Sequence, residues 1–372
     1  MISISGAYQT RFGELWDKSL EDLILEAAVG ALADARLNKN KIDLVIVANM
    51  LAEQNHLGAL ASQLLGLNSV PAIRVEAACA SGGVALHQAV TAIKAGEANH
   101  VLVIGAEKMT DKNNGAIAQA LMGAAGIEEC QAGLTFVGLY ALMARVYFEK
   151  FKATKNDLAY VAIKNHRHAS KNPKAQYPFP VELETVLKSS CVASPLHLFD
   201  CSPITDGAAA VVVSNEPAAV AITASQIASD SVSLTERESL TELKATKIAS
   251  QKAYEQAGIK SNDIDLAEVH DCFSIAEIMA VEDLGFCKKG EGFKKIKSGE
   301  FDHDGRLPVN LSGGLKACGH PVGATGIKQI VELVTQLRGE AGQRQIKKPQ
   351  IGLAHNVGGS GATAAIHILR RA

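Results

Sequence analysis

Cys79, His270, Cys272, His320 and His355 are the residues of this chain whose types and spacing suit thiol and proton chemistry. Cys79 ends the small and apolar segment VEAAC, and an apolar-periodic helix is expected to begin near Ser81. A thiol there faces the free N–H groups and positive end of the helix, which lower its pKa and favour the nucleophilic thiolate. His320 lies in CGHPVGATG, where Pro321 restricts the residue before it and Gly319, Gly323 and Gly326 allow a closely approached backbone. A neutral imidazole in reach of Cys79 takes the thiol proton and returns it to a leaving group.

The segment VHDCFSIAEI holds His270, Asp271 and Cys272 just after a short apolar strand. If that strand persists, alternation places His270 and Cys272 on one side and Asp271 on the other. Cys272 is then a second acid or base, and His270 a donor to a developing oxyanion. LAHNVGGSG places His355 and Asn356 before Gly358, Gly359 and Gly361, a turn whose backbone N–H groups could hold a ligand carbonyl. The structural alternatives are a buried cysteine and core histidines satisfied by their own turns.

Several chemistries are excluded. No GxGxxG opens a βαβ unit, and neither a Walker A sequence nor HExxH occurs. The cysteines and histidines lack the local spacing of a compact zinc site, so no metal is expected. Seven cysteines without a CxxC pair disfavour a disulfide framework. A formal net charge of −2 with dispersed Lys and Arg gives nucleic acid no electrostatic hold. There is neither a secretory leader pattern nor an apolar run long enough for membrane insertion, so a cytoplasmic location is expected.

The elements that must position these residues are written twice. KSLEDLILEAAVGALADARLNKNKIDLVIVANM reads as a helix, a polar turn and a branched apolar strand, with Ser19 and Asp22 at the helix start. ELKATKIASQKAYEQAGIKSNDIDLAEVHD repeats the order, with Ile264-Asp265-Leu266 echoing Ile42-Asp43-Leu44. CASGGVALHQAV aligns with HPVGATGIKQIV, Gly82 on Gly323 and Gln88 on Gln329, and VLVIGAE aligns with IGLAHNV. Matches in the same order suggest a duplication into two similar α/β domains whose sheet strands are covered on both faces. Cys79 and His320 then sit at equivalent turns and converge on the interface. Between Met109 and about Ser202 a less regular stretch containing KNHRHASKNPKAQYPFP interrupts the pattern, either lining a substrate channel or forming a solvated helical insertion.

AACASGG around Cys79, HDCF at His270 to Phe273, GHPVGATG around His320 and HNVGGSG from His355 to Gly361 resemble the hallmarks of the thiolase family, over essentially the whole chain. HDCF is the form of the branch with the sterol-carrier-type and archaeal thiolases; the better-known members carry NEAF there. The resemblance implies a duplicated α/β fold layered α-β-α-β-α. Residues 1–215 would form the N-terminal half, with a loop domain inserted at about 110–202, and residues 216–372 the C-terminal half.

It also implies an acyl-CoA C-acyltransferase with an acyl-cysteine intermediate, running as condensation of acetyl-CoA or as CoA-dependent cleavage of 3-ketoacyl-CoA. By resemblance, Cys79 is the acylated nucleophile, His320 activates it, and His270 with His320 holds the thioester oxygen. The N–H of Cys79 and one from the turn around Val357 and Gly358 would hold the acyl-enzyme carbonyl, with His355 and Asn356 in support and Gly319 and Gly323 against substrate. Most thiolases carry CxG where this chain has His355-Asn356-Val357, and Cys272 is expected to move the alpha proton in place of the missing cysteine, ahead of His355.

Coenzyme A and acyl-CoA are the expected substrates, without a tightly bound cofactor. A homodimer or homotetramer is expected, with a small acyl-CoA-binding partner protein as a further option. Competing readings are a catalytically inactive or partner-dependent subunit of a condensing complex, and an aldol-type lyase of CoA thioesters.

Overall fold

The computed structural model describes residues 1–372. Strand β1 (Ser3–Gln9) leads to helix α1 (Leu20–Asp34), which Ser19 and Asp22 close with a reciprocal capping box. Then come β2 (Leu44–Ala48), α2 (Leu57–Leu64), β3 (Ala72–Val75), α3 (Ser81–Lys94) and β4 (His100–Glu107). The insertion follows as α4 (Asn114–Met122), α5 (Ile127–Gln131), α6 (Phe136–Phe151), α7 (Lys155–Ala169), α8 (Leu183–Lys188) and the short hairpin of β5 (Cys191–Ala193) and β6 (Leu196–His197). β7 (Gly207–Ser214) returns to the sheet, and β8 (Val220–Ser229) opens the second half. That half continues through α9 (Lys244–Ala257), β9 (Leu266–Glu268), α10 (Ser274–Asp283), α11 (Gly292–Lys297), α12 (Gly314–Cys318), α13 (Thr325–Arg338), β10 (Ile351–Gly358) and β11 (Thr363–Arg371). No helix is long and apolar enough to cross a membrane.

The strands run in the order β3-β2-β4-β7-β1-β8-β11-β10-β9. β1 and β8 join the halves through just Ser3 opposite Ala221 and Ile4 opposite Val220. α3 packs on β2, β3 and β4 of its own half and on β8, β10 and β11 of the other, while α13 packs on β9 and β10 and also on β1, β4 and β7. The two β layers therefore face each other across α3 and α13. α1 and α2 cover the outer face of the first layer and α9 that of the second, which completes the α-β-α-β-α order. Every residue of β4 and β7 is buried, as strands covered on both faces require.

The repeated Ile-Asp-Leu has a physical cause. The Asp43 carboxylate accepts from the N–H groups of Asn99 and His100 at the start of β4, at 2.7 and 2.9 Å. Asp265 does the same for Gln350 and Ile351 at the start of β10, at 2.7 and 2.9 Å. Each aspartate thus ties the entry of one central strand to that of its neighbour. The copies differ at the edge, where β3 has no full counterpart and a single parallel bridge from Val309 to Ala267 takes its place.

The insertion is more regular, and far less solvated, than its basic and Pro-rich composition suggests. Lys164, Asn165, His166 and His168 belong to the last turns of α7 and are all buried. Leu139, Tyr140, Met143 and Tyr147 of α6 share one core with Ala249 and Ala253 of α9 and Ile275 and Met279 of α10. Burial of each large apolar side chain contributes about 1.5–3 kcal/mol, so the insertion is fixed against the second half.

Candidate active site

The turn before α3 carries Cys79 at the interface of the halves. Ala78 takes a left-handed φ of 50°, which is strained for a residue with a Cβ. Ser81 holds the turn by accepting from Ala77 N–H at 2.9 Å and donating to the Ala78 carbonyl at 2.6 Å. The amides of Cys79 and Gly359 face the Cys79 sulfur. Burial nonetheless pushes the thiol well above its ordinary range, and the charges of a Cys272 thiolate and Glu107 act in the same direction. Desolvation thus acts against the thiolate expected at the helix start and favours the neutral thiol.

The sulfur of Cys79 and one ring nitrogen each of His270 and His320 lie within 4.8 Å of one another. The two rings meet edge to face, with centroids 5.1 Å apart. Burial, aided by the positive Lys328, holds His320 down at about 3, so its imidazole is neutral. His320 Nδ1 lies 2.7 Å from the Thr325 hydroxyl, which donates to the Pro321 carbonyl at 3.0 Å. With that proton committed to Pro321, Nδ1–H donates to Thr325 and Nε2 keeps a lone pair.

The His270–Cys272 segment is not strand, because β9 ends at Glu268. Its side chains are directed by hydrogen bonds rather than by alternation. Asp271 accepts from Leu315 N–H and from the Asn165 amide, both at 2.7 Å. Asn165 also donates to Glu277 at 2.8 Å, and Glu277 pairs with Lys164 at 3.0 Å. Burial, then repulsion from Glu277, pushes Asp271 up to about 6. With Asp271 anchored beneath, Cys272 lines the same cavity as Cys79 and His320. Burial pushes the Cys272 thiol up to about 12.

That cavity, of about 200 Å³ and open to solvent, has a mainly apolar wall including Met109, Leu121, Phe136, Tyr140 and Phe273. The insertion is not remote from this cavity, since α4 and α6 supply much of its wall. Tyr140 donates to the Gly359 carbonyl at 3.2 Å, stacks on Phe273 with centroids 4.6 Å apart, and faces the Cys272 sulfur.

His355 does not line the cavity. Its Nε2 is 2.8 Å from the Thr246 hydroxyl, and its Nδ1 accepts from His270 N–H at 3.4 Å. Asn356 reaches inward instead: its amide contacts Gly83, Cys79 and His270. Val357 is buried in β10 opposite Ala364, and Gly358 passes so close to the Ala77 carbonyl that a Cβ would lie 2.4 Å from it. Neither Gly319 nor Gly323 faces the cavity, contrary to their expected contact with substrate. A Cβ on Gly319 would lie 2.7 Å from the Thr205 methyl, and one on Gly323 would lie 2.7 Å from the Ala48 carbonyl, so both serve close packing. Tyr140, Ser81 and Thr325 are the site residues that the motifs did not disclose, whereas Gly359 lies in the glycine turn already singled out. Ser81 and Thr325 carried a usable signal, a small hydroxyl residue at the first position of each equivalent helix.

Residues 2–217 match the family description "Thiolase, N-terminal domain", and residues 227–371 match "Thiolase C-terminal domain-like". The acetyl-CoA acetyltransferase of Methanothermobacter thermautotrophicus is 47% identical over 382 residues, spanning 100% of this chain and 99% of its own. Human sterol carrier protein 2 is 33% identical over 391 residues, spanning 97% of this chain and 70% of its own. A solved structure described as Ltp2-ChsH2(DUF35) aldolase has a TM-score of 0.85 at 26% identity, covering 100% of this chain and 97% of its own. The chain belongs to the thiolase family. It is an enzyme of the thiolase, acyl-CoA C-acyltransferase type.

Proposed function

We propose that Cys79 carries the acyl group, with His320, Cys272 and His270 completing the chemistry. The observation that carries this reading is the convergence of the Cys79 sulfur with ring nitrogens of His270 and His320. In the condensing direction the thiol attacks a thioester carbonyl as His320 Nε2 takes its proton. The tetrahedral oxygen is held by the amides of Cys79 and Gly359, the two N–H groups aimed at the sulfur. Collapse breaks the carbon–sulfur bond to CoA, and Cys272 gives its proton to the departing thiolate. Acyl-Cys79, protonated His320 and the Cys272 thiolate remain.

A second acetyl-CoA then loses its alpha proton to Cys272, whose raised pKa makes its thiolate a competent base. The enolate oxygen lies between His270 and protonated His320, and its carbon attacks the acyl carbonyl. Cys79 leaves as thiolate and regains its proton from His320. The atoms and charges then stand as at the start, and thiolysis is the same sequence reversed.

In this reading residues 1–215 and 216–372 are the two halves, and the insertion at about 110–202 covers the acyl group. A homodimer or homotetramer is supported by the unpaired outer edge of β3, where Ile73 is exposed. A cytoplasmic location belongs to the same reading. A second reading, aldol-type cleavage of CoA thioesters with a small partner protein, is favoured by the likeness to the Ltp2-ChsH2(DUF35) aldolase. It gives no role to a neutral thiol beside a neutral base. Mass spectrometry after incubation with acetyl-CoA separates the two: Cys79 gains an acetyl group in the thiolase reading, and unmodified Cys79 overturns it.

A further inference from the structure

The Asn356 amide has partners that fix which end is which. Its Oδ1 lies 3.0 Å from Gly83 N–H, which can only donate. Its Nδ2 lies 2.9 Å from the Cys79 carbonyl, which can only accept. The amide therefore cannot turn over without losing both contacts. Nδ2 also points at His270 Nδ1, at 3.2 Å.

We propose that Asn356 is a tautomer lock: it forces His270 Nδ1 to accept, and so places the His270 proton on Nε2, the opposite tautomer from His320. His270 Nε2 is buried and has no partner within the protein. It is a donor held ready, whereas His320 Nε2 is a lone pair held ready. The same device decides what the cluster refuses. A thiol and two neutral imidazoles within 4.8 Å are near the donor set of a soft divalent cation, which needs a lone pair from each ligand. With Nδ1 facing an N–H that cannot turn, His270 has no lone pair to give from Nε2. Asn356 thereby keeps a Cys-His-His cluster free for acyl chemistry rather than metal capture. It is a positioning residue, acting through His270. Burial, with the nearby histidines and Lys328 resisting a further positive charge, holds His270 well below its ordinary pKa, so a second proton does not undo the lock.

The proposal deepens the role given to His270 above and rests on that reading for its catalytic consequence, although the tautomer itself is measured without turnover. Histidine-selective 15N spectra of the intact protein, with the His270→Gln variant identifying the resonances, are expected to show His270 with Nε2 protonated and His320 with Nδ1 protonated. A protonated Nδ1 on His270 overturns the lock, and this test needs no Asn356 variant to fold.

In Asn356→Asp the carboxylate accepts from Nδ1–H, which releases the Nε2 lone pair. Added Co2+ is expected to give this variant a thiolate-to-cobalt charge-transfer band, absent from the wild type at the same concentration and lost in Asn356→Asp with Cys79→Ala. Alpha-proton exchange is expected to fall about 100-fold, the cost of one oxyanion donor, while acetylation of Cys79 persists. An equal cobalt band in the wild type overturns the proposal. Absence of acetyl-Cys79 in the wild type would instead overturn the catalytic assignment and leave the tautomer result standing.

Discussion

The Tyr140 hydroxyl donates to the carbonyl of Gly359 at 3.2 Å, so a helix of the insertion holds a residue whose amide faces the Cys79 sulfur. Tyr140→Phe keeps the stack on Phe273 and deletes this hydrogen bond together with the hydroxyl that faces the Cys272 sulfur. A neutral hydrogen bond is worth about 1 kcal/mol, so turnover is expected to fall roughly fivefold with little change in Tm. Steady-state kinetics with a thermal melt checks this, and unaltered kcat would remove Tyr140 from the site.

Cys272→Ala is expected to acquire the acyl group from acetyl-CoA yet lose alpha-proton exchange. His355→Ala should keep exchange and lose stability instead, by about 1–3 kcal/mol, because Thr246 and the His270 N–H both lose their partner. Deuterium exchange into acetyl-CoA, read beside intact mass, distinguishes the two. Exchange lost in His355→Ala alone would move the base to that residue.

Burial raises the Cys79 thiol pKa and lowers that of its partner His320 to about 3. The neutral pair therefore persists across the physiological range, and ionisation waits for substrate. Alkylation of Cys79 by iodoacetamide is expected to stay slow at neutral pH and to accelerate only above the ordinary thiol range. A rate plateau reached near pH 7 would mean a resting thiolate.

His320, His355 and His367 are each held at about 3 by burial, against an ordinary 6.5. Their folded pKa is depressed, so folding favours the neutral form. The stability this contributes is complete above about pH 6.5 and is lost as pH falls toward 3. By pH 5 the loss is on the order of 2 kcal/mol for each such histidine. Tm should fall steadily from pH 6.5 downward. His367→Gln should flatten the slope, since His367 contacts the Gly83 carbonyl and does not line the cavity.

Lys164 and Glu277 form a buried pair beneath Asp271. Lys164→Met leaves a buried carboxylate without its cation and is expected to cost about 3–5 kcal/mol in urea unfolding. A loss under 1 kcal/mol would show that the anchor of the His270–Cys272 segment lies elsewhere.

The layers were legible in the sequence because both periodicities repeat in the same order, and Asp43 and Asp265 make the same contacts in each copy. Cys79 and His320 were legible because equivalent turns must meet when two copies pack across α3 and α13. What local pattern could not carry was desolvation: a helix start promises a stabilised thiolate, and only the surrounding walls show that burial prevails. Nor could it carry Tyr140, a tyrosine in an otherwise ordinary amphipathic helix, or the mainly apolar contribution of α4 and α6 to the cavity. The glycines of GHPVGATG read as ligand-facing because close approach looks alike in sequence whether the neighbour is substrate or, as for Gly323, the carbonyl of Ala48.

The seam at β1 and β8 makes one molecule of what could have been two identical ones. A twofold pair of either half would be bound by symmetry to present the same residue at both turns, two thiols or two imidazoles. Covalent fusion released the copies from that constraint. One turn then carries a thiol, Cys79, and the other an imidazole, His320, so the site between the halves is free to be asymmetric.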